Sequence, residues 1–83
     1  MFTDWDVQTR LEDALEATSC FSANAIDRIS DAVYLDVYDN VVNDKFLDPE
    51  EDDLECLDDS SFRDCYFNPV ADYIDSHLVK DND

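Results

Sequence analysis

The chain is 83 residues long, enough for one small domain, and carries 23 acidic residues against 5 basic ones, a formal net charge of −18. Hydrophobic residues make up 45% and ten are aromatic, which excludes a disordered acidic tail, because such tails lack the apolar surface to offset chain entropy. Glycine is absent, which excludes Gly-rich phosphate loops and the EF-hand calcium loop, and no apolar run approaches the roughly 18 residues of a membrane span.

In chain order, Thr3 with Asp6 three residues on reads as a capping box. Val7, Leu11, Ala14, Leu15 and Thr18 then follow the helical period, and Trp5 is placed to staple the start of the helix. Residues 18–22 read as a turn, with Ser22 or Asn24 as the next cap. The longest helix is expected over Ala23–Asp44, its inner stripe Ile26, Ile29, Val33, Val37 and Val41, widened by Tyr34 and Tyr38. The alternation of Val33, Leu35 and Val37 offers a strand reading, which length and the absence of turn residues disfavour. Asp48-Pro49-Glu50-Glu51 combines a cap, a proline at the first helical position and a capping-box Glu, predicting a short acidic helix to about Asp58 that buries Leu54 and Leu57. Ser60 or Ser61 starts another turn carrying Phe62, Cys65 and Tyr66. Asn68-Pro69 repeats the cap-plus-proline pattern and predicts a last helix to Val79, with Val70, Ile74 and Leu78 inward and Lys80 favourably placed at its C-terminus. The expected fold is all-α: one domain over residues 1–83, a bundle of about four helices.

Little in the chain supports catalysis. His77 is the only histidine, and its neighbour Ser76 points elsewhere on a helix, so the two cannot form a nucleophile–base pair. Asp59-Ser60 has Ser61 where the acyl-carrier motif has a hydrophobic residue. Cys56 and Cys65 are eight residues apart, unlike the short spacing of zinc ligands, and a site of three cysteines with His77 is a remote alternative. The odd set Cys20, Cys56 and Cys65 reads as free, buried thiols. No enzyme activity, cofactor or metal is expected. Met1–Asp6 is acidic, unlike a signal peptide, and a polyanion is repelled by anionic membranes, so a cytoplasmic location is expected.

The charge is the outlier. Eighteen of the acids are Asp, although Glu is the better helix former. A shorter side chain holds its carboxylate nearer the backbone, with less rotamer freedom to lose on binding. Only Arg10, Arg28, Lys45, Arg63 and Lys80 offset the acids, and self-repulsion on this scale opposes compaction. Duplex DNA carries one charge per about 1.7 Å, so the net charge matches roughly 31 Å of duplex, close to the length of the predicted long helix. The candidate phosphate-mimicking residues are Asp27, Asp31, Asp36, Asp39 and Asp44 on that helix, and Asp48, Glu50, Glu51, Asp52, Asp53, Glu55, Asp58 and Asp59 after it.

The Asp-rich, tyrosine-containing runs Asp31-Ala32-Val33-Tyr34-Leu35-Asp36 and Ala71-Asp72-Tyr73-Ile74-Asp75 make the chain resemble the acidic, glycine-poor helical phage proteins that act as DNA mimics, among them anti-restriction proteins and some anti-CRISPRs. The resemblance is one of composition and helical pattern over the whole chain, without a defining motif. It implies an inhibitor that occupies the nucleic-acid site of a basic host protein, binding no nucleic acid or membrane itself. Tyr34, Tyr38, Tyr66 and Phe67 either pack in the core or supply apolar and cation–π contacts. A homodimer is open. The competing readings are an adaptor or inhibitor that binds a host protein through an apolar patch, its acidity incidental, and a halophilic or generic acidic domain.

Overall fold

Residues 1–78 are described by the computed structural model; Val79 and Lys80, expected at the end of the last helix, lie outside them. The first helix, α1 (Asp4–Ala17), starts where the sequence indicates. Thr3 is the N-cap, and its capping box with Asp6 is complete. Phe2 and Val7 occupy the two positions of a hydrophobic staple and both are buried. Trp5, expected to make that staple, is instead 71% exposed, because the residue before the cap already fills the site.

The second helix, α2 (Ala23–Asp44), has the expected bounds and is capped by Ser22, whose side chain accepts from the Ala25 N–H. Ile26, Ile29, Val33, Val37 and Val41 are buried, while Tyr34 and Tyr38 are half-buried at the margin of the core. Buried Ser30 lies on the same side, its Oγ within 3.1 Å of the Glu12 carboxylate and 3.2 Å of the Asp27 carbonyl. Ser19 and Phe46, just past the ends of α1 and α2, have φ of 59° and 57°. This left-handed geometry at a helix end usually falls to glycine, which the chain lacks.

The expected acidic helix after Pro49 does not form. Asp48 to Asp52 make one turn, in which the Glu51 and Asp52 N–H groups donate to the Asp48 carbonyl. The Asp52 side chain folds back to accept from the Asp48 N–H at 2.9 Å, and the chain is extended at Asp53. Only a three-residue 3-10 turn, Leu54–Cys56, comes after it. A helix here would stack Asp48 on Asp52, Glu51 on Glu55 and Glu55 on Asp59, like charges one turn apart. The Arg10 guanidinium instead collects the Leu54 and Leu57 carbonyls at 2.6 and 2.7 Å, and both leucines are buried as expected.

The third helix, α3 (Asp59–Tyr73), begins ten residues before the proline expected to start it. Its N-cap is Asp58, which accepts from the Ser61 N–H at 2.7 Å. Pro69 therefore lies inside the helix and Asn68 caps nothing. An interior proline cannot donate to the carbonyl four residues back, here that of Cys65. Asn40 of α2 donates its amide N–H to that carbonyl at 2.8 Å, supplying the missing hydrogen bond from the neighbouring helix. Beyond Tyr73 the helix widens into a π segment, Ile74–Leu78. Among the described residues three α-helices, not four, pack up, down and up, with α2 between the other two. The core joins the α2 stripe to Phe2, Val7, Leu11, Leu15, Leu54, Leu57, Phe62, Cys65 and Val70. None of the described helices is long and apolar enough to cross a membrane.

Candidate carboxylate interface

Twenty-one of the 23 acids lie among the described residues, and all but Glu12 and Asp52 are exposed. Three ion pairs form there: the N-terminal amino group with Asp53 at 2.6 Å, Arg10 with Asp59 at 3.4 Å, and Lys45 with Asp64 at 3.4 Å. All three acids are exposed, so solvent and salt weaken these pairs. Arg63 lies over the ring of Phe67, 5.7 Å from its centroid. The acids thus greatly outnumber the cations able to neutralise them, and the fold places nearly all of their charge in solvent.

The acids of α2 divide into two flanks. The buried stripe fixes one side of the helix against the core, and at about 3.6 residues per turn the acids fall on either side of the outward arc. Asp27 and Asp31 border α1, where they line a shallow groove with Gln8, Glu12 and Arg28. Asp36 lies on the opposite flank, one turn before Asn40, which reaches α3. Asp39 stands nearer the middle of the arc and Asp44 ends the helix. Leu35, 52% exposed, separates the two flanks. Among the described residues, none of these five carboxylates accepts a hydrogen bond or joins an ion pair.

The acids from Asp48 to Asp59 behave differently. Asp48 accepts from the Glu50 N–H, Asp52 from the Asp48 N–H and Asp58 from the Ser61 N–H, while Asp53 and Asp59 join the ion pairs already described. Only Glu50, Glu51 and Glu55 of the eight expected here have no such engagement. The Ser61 backbone N–H and hydroxyl, with smaller help from Lys45 and Arg10, hold the Asp58 carboxyl below its ordinary range. Asp4, Asp13 and Glu16 on α1, which the sequence does not single out, and Asp72 and Asp75, which belong to a mimic-like run but not to the candidate set, are exposed as well. Their signal was the same helical spacing that marked α2, on helices that were read mainly for their apolar stripes.

Chemistry-bearing groups do not converge elsewhere among the described residues. Cys20 and Cys56 are exposed, contrary to the expectation of buried thiols, and no group of cysteine, histidine and acid side chains has metal-ligand proximity. Cys65 is buried, and burial pushes its thiol pKa up, keeping it neutral and unreactive. His77 stacks on Tyr73 with centroids 4.4 Å apart, and its Nδ1 is 3.2 Å from the Tyr73 carbonyl oxygen. Of the aromatics weighed for contact, Tyr34, Tyr38 and Tyr66 pack against the core and Phe67 is exposed. No protein family, curated protein or solved structure matches the chain.

Proposed function

We propose that the chain is a nucleic-acid mimic, an inhibitor that uses its carboxylates to occupy the nucleic-acid-binding site of a basic protein. The observation that carries this reading is the set of five exposed α2 carboxylates with no partner among the described residues, on a folded and otherwise well-satisfied scaffold. Along its 45 Å long axis the described chain has 17 net negative charges, 21 acids against Arg10, Arg28, Lys45 and Arg63. A duplex of that length carries about 26 phosphates, so the density is about two-thirds that of DNA. Carboxylates at this density compete for the lysines and arginines that otherwise hold phosphates, and counterion release drives the association as it does for DNA. The fitting targets are host defence or DNA-processing proteins, such as a restriction enzyme, CRISPR effector, nuclease or polymerase factor, met in the cytoplasm of a cell invaded by a phage or mobile element.

The test is displacement of labelled DNA from purified candidates across a salt series. The mimic releases DNA at low salt and loses affinity steeply as salt rises. Binding that leaves DNA in place, or that ignores salt, sinks the reading. One observation favours a second reading, an adaptor that binds through an apolar patch: Leu15, Phe21, Tyr66, Phe67, Val70 and Ile74 line an apolar groove between the C-terminal ends of α1 and α3. For that reading, neutralising the α2 acids leaves affinity unchanged.

A further inference from the structure

Duplex DNA shows a partner its phosphates and groove edges, with the base faces hidden in the stack. A single strand shows phosphates with unstacked rings beside them, and proteins that hold it combine a basic groove with aromatic or arginine stacking faces. A surface that imitated only a duplex would have no use for rings in solvent. One end of this chain has them.

Phe46 is 86% exposed and Trp5 71% exposed. The fold brings them to the same end. α1 and α2 are antiparallel, the Phe2 N–H donates to the Pro49 carbonyl at 2.9 Å, and the N-terminal amino group reaches Asp53. The Phe46 backbone has φ 57°, a region where a Cβ crowds the backbone and which glycine ordinarily takes. The ring does not help close the loop. That falls to its neighbour Leu47, which is half-buried against the core and donates its N–H to the Val41 carbonyl. The chain thus holds an aromatic in a disfavoured backbone region with its ring in water. Asp44 and Asp48 lie two residues to either side of Phe46, Glu50 and Glu51 come next, and Asp4 and Asp6 bracket Trp5. Phe67 differs, because it is less exposed, at 53%, and the Arg63 guanidinium already lies over its ring.

Building on the mimicry reading, we propose that this end imitates single-stranded nucleic acid. Phe46, with Trp5 as a second ring, enters the base-stacking site of a basic single-strand-binding protein, while Asp4, Asp44, Glu50 and Glu51, whose carboxylates have no partner among the described residues, take its phosphate contacts. Charge selects this occupant over a second copy of the chain, which would press one polyanion against another.

The test titrates the intact chain with two peptides, Lys-Trp-Lys-Trp-Lys and Lys-Ala-Lys-Ala-Lys, followed by NMR. The expected result is at least about fivefold tighter binding of the tryptophan peptide, with ring-current shifts at Phe46. Phe46→Ala abolishes that preference and leaves the alanine peptide's affinity unchanged; Phe46→Trp keeps the preference. Equal affinity for the two peptides overturns the inference, as does a preference that survives Phe46→Ala, and in either case electrostatic mimicry stands. Failure of both peptides to bind at low salt overturns the mimicry reading together with this one.

Discussion

Among the described residues the acids of α2 have no partner, whereas most of those between Asp48 and Asp59 are bound into the fold. Asp27, Asp31, Asp36, Asp39 and Asp44 lie on a continuous helix, where every interior N–H already has a backbone acceptor. A carboxylate there finds nothing local to accept from. The segment from Asp48 to Asp59 is irregular and leaves N–H groups unpaired, so the carboxylates of Asp48, Asp52 and Asp58 satisfy them. Dense acid in an irregular segment is used up by its own backbone. The same acid on a regular helix remains available to a partner.

The largest expected effect comes from exchanging the two sets. Replacing the five α2 aspartates with asparagine should weaken displacement of DNA by about two orders of magnitude at low salt and flatten the salt dependence. The urea midpoint should hold or rise as self-repulsion falls. Replacing Asp48, Asp52, Asp53, Asp58 and Asp59 with alanine should do the reverse, lowering the midpoint more than the affinity. The contrast breaks if the second set proves as important for binding as the first.

Next in size is Arg10→Ala. Its guanidinium binds two carbonyls and lies over the Phe62 ring at 4.7 Å, so its loss should cost about 2–3 kcal/mol in urea unfolding. A smaller change would mean that the 48–58 segment is held mainly by Leu54 and Leu57. Asn40→Ala should cost about 1–2 kcal/mol, because it orphans the Cys65 carbonyl inside the bundle. In a Pro69→Ala background the penalty should shrink, since residue 69 then supplies an N–H to that carbonyl. An unchanged penalty would show that Asn40 matters for some other contact.

The smallest effect concerns Asp58 and acid. Its carboxyl sits below the ordinary value of 3.8 in the folded chain, so the unfolded chain binds more protons in that interval. The stability it contributes is present above 3.8 and is lost as pH falls through the lowered folded value. The gap in urea midpoint between the parent and Asp58→Ala should therefore be constant near neutrality and close below 3.8. A gap that widens on acidification would contradict the capping role. Over the same descent, approach to the sequence pI of about 4.1 removes self-repulsion and should stabilise both proteins alike.

The sequence made α1 and α2 legible because cap and stripe agreed there. Thr3 and Ser22 start helices whose apolar positions then repeat for several turns. Asp48-Pro49 misled because a cap-plus-proline signature specifies only the first turn. Whether a helix continues depends on the residues beyond that turn, and here like charges stack and Arg10, far away in sequence, takes the carbonyls. Pro69 misled for a related reason. Its interior position is tolerated through Asn40, a contact that no local pattern around Pro69 reveals. The acids of α2 were legible as a set, and helical spacing alone puts Asp27 and Asp31 on one face and Asp36 and Asp39 on a neighbouring one; that the first pair borders α1 required the fold. The exposure of Trp5 was hidden because Phe2, the residue before the cap, fills the staple site, and that of Phe46 because its neighbour Leu47 takes the place against the core.

α2 carries its buried stripe on one side, and Asp27, Asp31, Asp36 and Asp39 lie outside that stripe. Substitutions among exposed residues of this kind usually change stability by less than about 0.5 kcal/mol. The outer arc can therefore drift residue by residue while Ile29, Val33, Val37 and Val41 keep the bundle intact. In evolutionary terms, the proposed recognition surface and the folding core are nearly separate traits on one helix. A lineage could track a changing target by rewriting the outer arc, with no need to discover a new scaffold.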